Sequence, residues 1–462
     1  MPHILRRRAT FALPFAVAAC DLGPAYEPPR NAVPAKWDAT NEGAGLWPDP
    51  QWWHNFGSEE LADLEQQAIA ANHDIRAAVA RVRQAEAQSK IAASFLFPTL
   101  GASAGVSRIG RGNIGSRGVV NYTGAVDASY QVDLFGANRA GAAAAEVRVE
   151  VSRYDRGIVA LTVLTSVATT YFQILALRDR VRLALDQLRI AESILELVQQ
   201  QQRIGSISEL EVAQQRSAVA SQRATIPGLQ QTERQSINAL AVLVGRLPQG
   251  FRLDGRSLER LRVPQIVSGI PSEVLLRRPD LRSAEASLRA ANFDVQQARA
   301  DRFPKIDLTG SLGAASTALG NLFGAGTWLT SLAAGLTAPL FQGGRLEALE
   351  ENARARYEEL TILYAQSILS AFRDVENALS AAGLYGQQYV LTVEALHQAS
   401  EAYRLSDTRY RTGSVDFLTV LDSQRAMFLA SDAVVLANLA RFSARVDLYK
   451  ALGGGWDGVL RS

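Results

Sequence analysis

Few residues in this chain could do covalent chemistry. There is one cysteine among 462 residues, and there are four histidines. His3, His54, His73 and His397 stand far apart without ligand spacing, and read as partly exposed structural residues. A lone cysteine excludes an intrachain disulfide and a cysteine-based metal cluster. No Ser/His/Asp or Cys/His constellation, glycine-rich phosphate loop or pocketed carboxylate pair can be assembled. The expectation is no enzyme, no cofactor and no metal. Cys20 is the exception, and its chemistry is acylation. Arg6-Arg7-Arg8 leads a short apolar run, Ala9 to Ala19, and Val17-Ala18-Ala19 places Cys20 at the cleavage point. Residues 1–19 are therefore a secretory signal, closing on a lipobox-like site where the cysteine is lipidated (a palmitate-type modification). Multiple acyl chains make such anchoring stable. Asp21 follows directly, at a position that in some bacteria carries an inner-membrane retention signal, which leaves sorting open.

The rest of the chain is organised by a stretch that occurs twice. Asp74, Arg76, Ala78, Ala80, Ala85, Ala92, Phe97 and Pro98 fall on Asp280, Arg282, Ala284, Ala286, Ala291, Ala298, Phe303 and Pro304, at a constant offset of 206 residues. The offset holds at Leu134, Phe135 and Arg139 against Leu340, Phe341 and Arg345, so the chain is an internal duplication. Inside each copy the period changes. Helical spacing runs up to Phe97-Pro98 and Phe303-Pro304, and a residue before proline is pushed out of the helical region, so both helices should end at the phenylalanine. After the proline the period is two. Leu100, Ala102, Ala104 and Val106 alternate with Gly101, Ser103, Gly105 and Ser107, as Ile306, Leu308 and Leu312 do with Lys305, Asp307, Thr309 and Ser311. A second strand follows each, clear from Tyr122 to Val132 and weaker from Trp328 to Leu340.

Long helices come next. A pattern from about Ala140 to Gln202 would measure roughly 90 Å, too long for a globular core helix and therefore coiled-coil-like. Arg203-Ile204-Gly205-Ser206 breaks it, and Glu209 to Leu243 returns. The second copy repeats this with Leu346 to Arg409, Arg411-Thr412-Gly413-Ser414, and Phe417 to Leu452. Each repeat thus closes with a helical hairpin tipped by a Gly-Ser turn. The divisions are a signal at 1–19, a proline-rich extended segment at 20–56, repeat one at 57–245 with strands in 98–135, and a linker at 246–271. Repeat two follows at 272–452 with strands in 304–341, then a tail at 453–462.

Net charge is +2 and no basic run lies outside the first ten residues, so nucleic acid is not a partner. No run reaches the roughly 18 consecutive apolar residues of a spanning helix. Four strands cannot close a membrane barrel, which needs at least about eight, and open edges are not tolerated in hydrocarbon. Strands that span must therefore be shared among copies, and the sequence admits a dimer, a trimer or more. The competing reading, core strands of a soluble α+β protein, is opposed by the polar second strand face, the glycine-rich loops 109–118 and 314–326, and the lipobox. Abundant alanine suits close helix packing around a hollow tube.

Gly23-Pro24-Ala25-Tyr26-Glu27-Pro28, then Trp52-Trp53 and Phe56, resemble the opening of the outer-membrane efflux lipoproteins in the TolC-like family of outer-membrane factors. Leu61 to Ala87 is similar to that family's first long helix, and PSEVLLRRPDLRSAE, Pro271 to Glu285, to its most distinctive string. The resemblance implies an α+β membrane protein, a homotrimer whose twelve shared strands form a β-barrel over an α-helical barrel. It implies an outer-membrane, lipid-anchored location with a periplasmic tube, and the role of passive exit duct in a tripartite efflux pump. A periplasmic adaptor and an inner-membrane transporter are the implied partners. It also places Leu418 and Asp422 at the pore gate, four residues apart and so on one helix face. Three leucines would plug the pore, and three crowded carboxylates would raise one another's pKa and attract cations. Thr419 stands where some members carry a second aspartate, which weakens cation block. The tips, at Arg203, Gly205, Ser206, Arg411, Gly413 and Ser414, are the implied adaptor-docking points. On the residues alone, Asp422 is a solvated helix residue and the glycines serve tight left-handed turns. Two other readings stand beside this one: the exit duct of a protein secretion system, and a lipid-anchored coiled-coil scaffold without a pore.

Overall fold

A computed structural model describes residues 26, 34, 36–38, 50–110, 118–265, 271, 274, 277–454 and 456. Cys20, Asp21, the signal and most of the 109–118 loop lie outside the described residues. The first repeat runs α1 (Glu59–Ala71), α2 (His73–Ser94), β1 (Thr99–Ile109), β2 (Val119–Val132), α3 (Ala137–Arg203) and α4 (Glu209–Leu243). The second runs α5 (Pro279–Ala300), β3 (Lys305–Ser316), β4 (Trp328–Thr337), α6 (Arg345–Arg411) and α7 (Phe417–Ala451). Both α3 and α6 have 67 residues, roughly 100 Å of helix.

The opening helix differs from expectation. It breaks at Asn72, whose backbone turns to ψ 131° while its side chain accepts from the Asp74 and Ile75 amides, at 2.8 and 3.1 Å. Asparagine competes with the helix for backbone donors, so here it ends α1 and caps α2. The expected stops at Phe97 and Phe303 come three residues early. The last turn tightens instead, Phe97 donating to Ser94 and Phe303 to Ala300, both at 3.1 Å.

The chain forms two compact units. One takes in residues 84–149 and 286–362 and holds a four-stranded antiparallel sheet in the order β1-β2-β3-β4. Thr99 lies opposite Ser129, Val132 opposite Ile306, and Lys305 opposite Thr337. Moving the first pair forward by 206 would put Lys305 opposite Gly335, so the second hairpin has slipped by two residues. A two-residue slip keeps every side chain on its face. β1 and β4 form the edges and are exposed along their whole length.

The other unit takes in residues 29–83, 150–285 and 363–462. Its aromatic core joins Trp52, Phe56, Phe172, Phe442 and Tyr449, with Phe56 4.9 Å from Phe172 and Trp52 5.0 Å from Tyr449 by ring centroids. The end of the expected extended segment is therefore folded: Trp52–Phe56 is a 3-10 turn, because three large apolar rings gain more from burial than from following a surface. The described part of the linker, residues 246–265, is strapped down. Arg178 donates to the carbonyls of Leu253 and Gly255, Glu60 accepts from the Asp254 and Gly255 amides, and Asp179 accepts from the Leu258 amide at 2.9 Å. Beyond the last helix, Trp456 of the tail donates to the Arg277 carbonyl at 2.6 Å.

Among the described residues, two helices hold an 18-residue window apolar enough, by length and composition, to cross a membrane, with mean hydropathy 1.7 in α3 and 1.3 in α7. Scattered Ser, Thr and Gln interrupt the apolar runs without lowering the average, which is why counting consecutive residues missed both. The α3 window is 61% buried within the chain and the α7 window only 17%.

Candidate functional site

The two hairpin tips are built alike, from local chemistry. Gly205 and Gly413 adopt φ +76° and +74°, the left-handed conformation that closes a helix. At the first, the Ser206 amide donates to the Gln201 carbonyl at 2.9 Å. At the second, Ser414 donates to Arg409 at 2.8 Å. The returning helices are capped differently. Ser208 and Glu211 form a capping box on α4, and the Asp416 carboxylate accepts from the Thr419 amide at 2.9 Å on α7. Hydrogen bonds from Thr419 hold the Asp416 carboxyl below the usual carboxylate range. The Ser208 side chain does the same for Glu211. Arg203 donates to the Gln199 carbonyl and Arg411 to Asp407, so both tip arginines lie back along their own helices. Ile204 stands 78% exposed at the first tip.

Behind the tips, the hairpins share an apolar core of Ile194, Val198, Val212, Tyr410, Phe417, Val420 and Leu421. The Tyr410 hydroxyl crosses from α6 to Gln201 of α3, at 2.6 Å. Phe417, Val420 and Leu421 thus fix one face of α7 inward, and the i, i+4 geometry of a helix then turns Leu418 and Asp422 outward together. Both line a groove of about 990 Å³ flanked by α3, α4 and α7. Along α7 its wall includes Leu418, Asp422, Arg425, Leu429 and Asp432, a stripe with three- and four-residue spacing, beside Leu421, Gln424 and Phe428.

The structure brings Leu418 and Asp422 into one lining, as their spacing requires. It keeps Arg203, Gly205 and Ser206 on one exposed turn and Arg411, Gly413 and Ser414 on the other. Sequence reasoning missed the groove's ion pair, Arg180 of α3 to Asp432 of α7 at 2.6 and 3.1 Å. It also missed Arg425, which with Asp422 finds no ion-pair partner among the described residues. The heptad-like stripe on α7 was the available signal for Arg425. Pro227 inside α4, which removes a helix donor, was another overlooked feature. No cluster of three or more metal-ligating side chains occurs among the described residues. The groove can line a passage, and nothing in it resembles a catalytic constellation.

Comparison with known proteins places these features in context. The sequence model described as outer membrane efflux protein matches residues 64–246 and 270–454, the two repeats without the linker between them. A Pseudomonas aeruginosa relative, the pyoverdine export outer membrane protein OpmQ, is 41% identical over 95% of each chain. The probable efflux pump outer membrane protein TtgC of Pseudomonas putida is 31% identical, over 96% of this chain and 94% of its own. Among solved structures, the open state of the Neisseria gonorrhoeae MtrE outer membrane channel superposes with TM-score 0.87 at 32% identity, covering 95% of this chain and 99% of that one.

Proposed function

The chain belongs to the outer membrane efflux protein family, and from that premise we propose that it is the exit duct of a tripartite efflux pump, carrying small molecules outward through the outer membrane. The observation that carries the duct reading is the sheet. Four strands with two fully exposed edges are unfinished in a bilayer, and only further copies of the same chain supply the missing strands. Three copies give a twelve-stranded barrel, within the range of outer-membrane barrels. The poorly covered apolar window of α7 supports the same assembly, since neighbouring copies would bury it.

Lipidation at Cys20 anchors the chain to the outer membrane in this reading, supported by the lipobox-like run before it. The gate is Leu418 and Asp422, supported by their shared exposure on the groove wall and by the inward anchoring of Phe417 and Leu421. In a symmetric assembly, the leucines form an apolar collar and the carboxylates a cation-attracting ring. The adaptor docks on the two Gly-Ser tips, where backbone turns, arginines and Ile204 are exposed, and the inner-membrane transporter drives the flow. Relatives are named for pyoverdine export and for toluene and antibiotic efflux. A duct serving such different cargo selects little by itself, so cargo choice falls to the transporter and adaptor.

Planar-bilayer conductance of the purified oligomer beside Asp422→Ala tests both levels. The expected result is a small, cation-selective conductance that rises in the variant. Equal conductance and selectivity would keep the duct and remove Asp422 as its constriction. Folded oligomer that never conducts, in either form, would favour the scaffold.

A further inference from the structure

The duplication turns a seam inside the chain into a template for a seam between copies, an inference that rests on the shared-barrel reading above. Within one chain the repeats meet where β2 pairs with β3, Tyr122 opposite Ser316 and Val132 opposite Ile306. Just beyond the strand ends, Phe135 stacks on Phe303 with ring centroids 4.8 Å apart and planes at 24°. Both rings have a duplicate 206 residues away: Phe135 corresponds to Phe341, and Phe303 to Phe97. Phe341 is 90% exposed and Phe97 67%, although Phe135 and Phe303 are half-buried. We propose that β4 of one copy pairs antiparallel with β1 of the next in the β2–β3 register, Leu332 opposite Val106, and that Phe341 stacks on Phe97 of the next copy.

The register follows from moving each β2 residue forward and each β3 residue back by 206. It sets Leu336 opposite Ala102 and Trp328 opposite Gly110 on one face, with Ser331 opposite Ser107 and Gly335 opposite Ser103 on the other. Apolar thus meets apolar, and small polar residues meet their like. A slip of one residue would turn Leu332 and Leu336 onto the face that carries Ser103 and Ser107 of β1. Slips of two are the real competitors, because the second hairpin has already slipped by two relative to the first.

Barrel tilt excludes the larger stagger, and the ring stack, rather than tilt, selects against the smaller. Opposite partners lead from Thr99 to Ser129, to Thr309, to Ala333, and then to Gly105 of the next copy. The stagger is six residues of β1 for four strands. With a rise of ~3.3 Å and a spacing of ~4.8 Å the strands tilt by about 46°, at the upper edge of the 35–45° of membrane barrels. Two more residues of stagger give about 54°, outside that range. Two fewer give about 35°, but shift the phenylalanines by ~6.6 Å along the strands and out of stacking contact.

Cysteine cross-linking in the full-length, membrane-inserted protein reads the register directly. Ser107→Cys with Ser331→Cys should give covalent trimers on denaturing, non-reducing gels, as each copy links to both neighbours. Pairing Ser331→Cys with Gly105→Cys or with Ile109→Cys should give little product, and chains carrying Cys20 alone should give none. A stronger ladder from either competitor overturns the register. So does the absence of any ladder in variants that conduct like the parent, and that same conductance keeps the duct reading apart. Phe97→Leu and Phe341→Leu give a second reading independent of disulfide formation. Each should lower the temperature at which the oligomer dissociates in detergent, and the double variant should lower it no further. Additive losses would overturn the stack.

Discussion

At duplicate positions, Ala286 of α5 is fully buried whereas Ala80 of α2 is exposed, and the same contrast separates Ala290 from Gln84. Val82 and Leu288, also duplicates, are both buried. One side of the helix is therefore covered in both repeats, and the other only in the second. The reason lies in the neighbours. α5 has α3 on one side, through Arg148–Asp294 and Ser283–Asp155, and α6 on the other, through Arg302–Glu350 just past its end. α2 has α3, through Asn138 to the carbonyl of Phe95 just past its end, while its Ala80 and Gln84 side is left exposed. By contrast, the repeats agree where each closes on itself. Asn72 donates to the carbonyl of Leu243, the last residue of α4, and its counterpart Arg278 donates to Ala451, the last residue of α7. Closure is a property of one repeat. Lateral packing is a property of the ring.

The sharpest way to break that comparison is at the closures. Gly245 sits at φ +71°, and an added Cβ would lie 2.5 Å from the Ala71 carbonyl oxygen; at Gly453 the nearest atom is 3.0 Å away. Gly245→Ala should cost about 3–5 kcal/mol, combining left-handed strain with a backbone clash. Gly453→Ala should cost about 2 kcal/mol less, since its overpacking is milder. Denaturation midpoints of the two variants decide it, and equal losses would mean that the closures are not tuned by contact distance.

A smaller effect tests the ring itself. Ala286→Leu overpacks a filled site and should cost the folded chain about 1–3 kcal/mol. Ala80→Leu should leave the stability of the dissociated chain within about 0.5 kcal/mol, as at other surface sites, yet weaken assembly. Detergent stability of the oligomer, set beside the unfolding of dissociated chains, separates the two. If Ala80→Leu leaves assembly untouched, α2 has no neighbour in the ring at that point.

These comparisons also mark what the sequence could carry. Period changes, proline stops and Gly-Ser tips are local, and α4 was legible to the residue, Glu209 to Leu243. The break at Asn72 was legible only in part: its capping of the Asp74 and Ile75 amides is local, but its anchor on the Leu243 carbonyl lies 171 residues away. The linker straps from Arg178, Asp179 and Glu60 and the Arg180–Asp432 pair are equally nonlocal. Leu418 and Asp422 could be placed on one helix face from spacing alone. The groove they line required the positions of α3 and α4, and the aperture they form is a property of several copies at once.

The smallest effects come from pH, where two carboxyls respond in opposite senses. Glu65 on α1 is fully buried without a hydrogen-bond partner among the described residues, and burial pushes its pKa well up. Below the unfolded value of about 4.3 it is protonated in both states; as pH rises the unfolded chain ionises first, and stability falls until the raised folded pKa is reached. Glu65→Gln should remove that decline, so its advantage over the parent should grow as pH rises above the unfolded value, at up to about 1.4 kcal/mol per unit, and level off once the raised folded pKa is passed. An advantage that does not change with pH would mean that Glu65 is ionised when folded. Asp416 runs the other way. Its carboxylate is held low by Thr419, so the α7 cap is fully present above the usual aspartate range and is lost as pH falls through the depressed value. Hydrogen exchange at the Thr419 amide, corrected for intrinsic rates, should show protection falling with acid in the parent and staying flat in Asp416→Asn. The duplicate tip sets the control. Its cap is the Ser208 hydroxyl, which accepts from the Leu210 amide and does not itself titrate, so Leu210 should exchange with the weaker acid dependence of the two unless the Glu211 side of the box dominates. Equal acid dependence at Leu210 and Thr419 would assign the first tip's stability to Glu211 rather than to the serine.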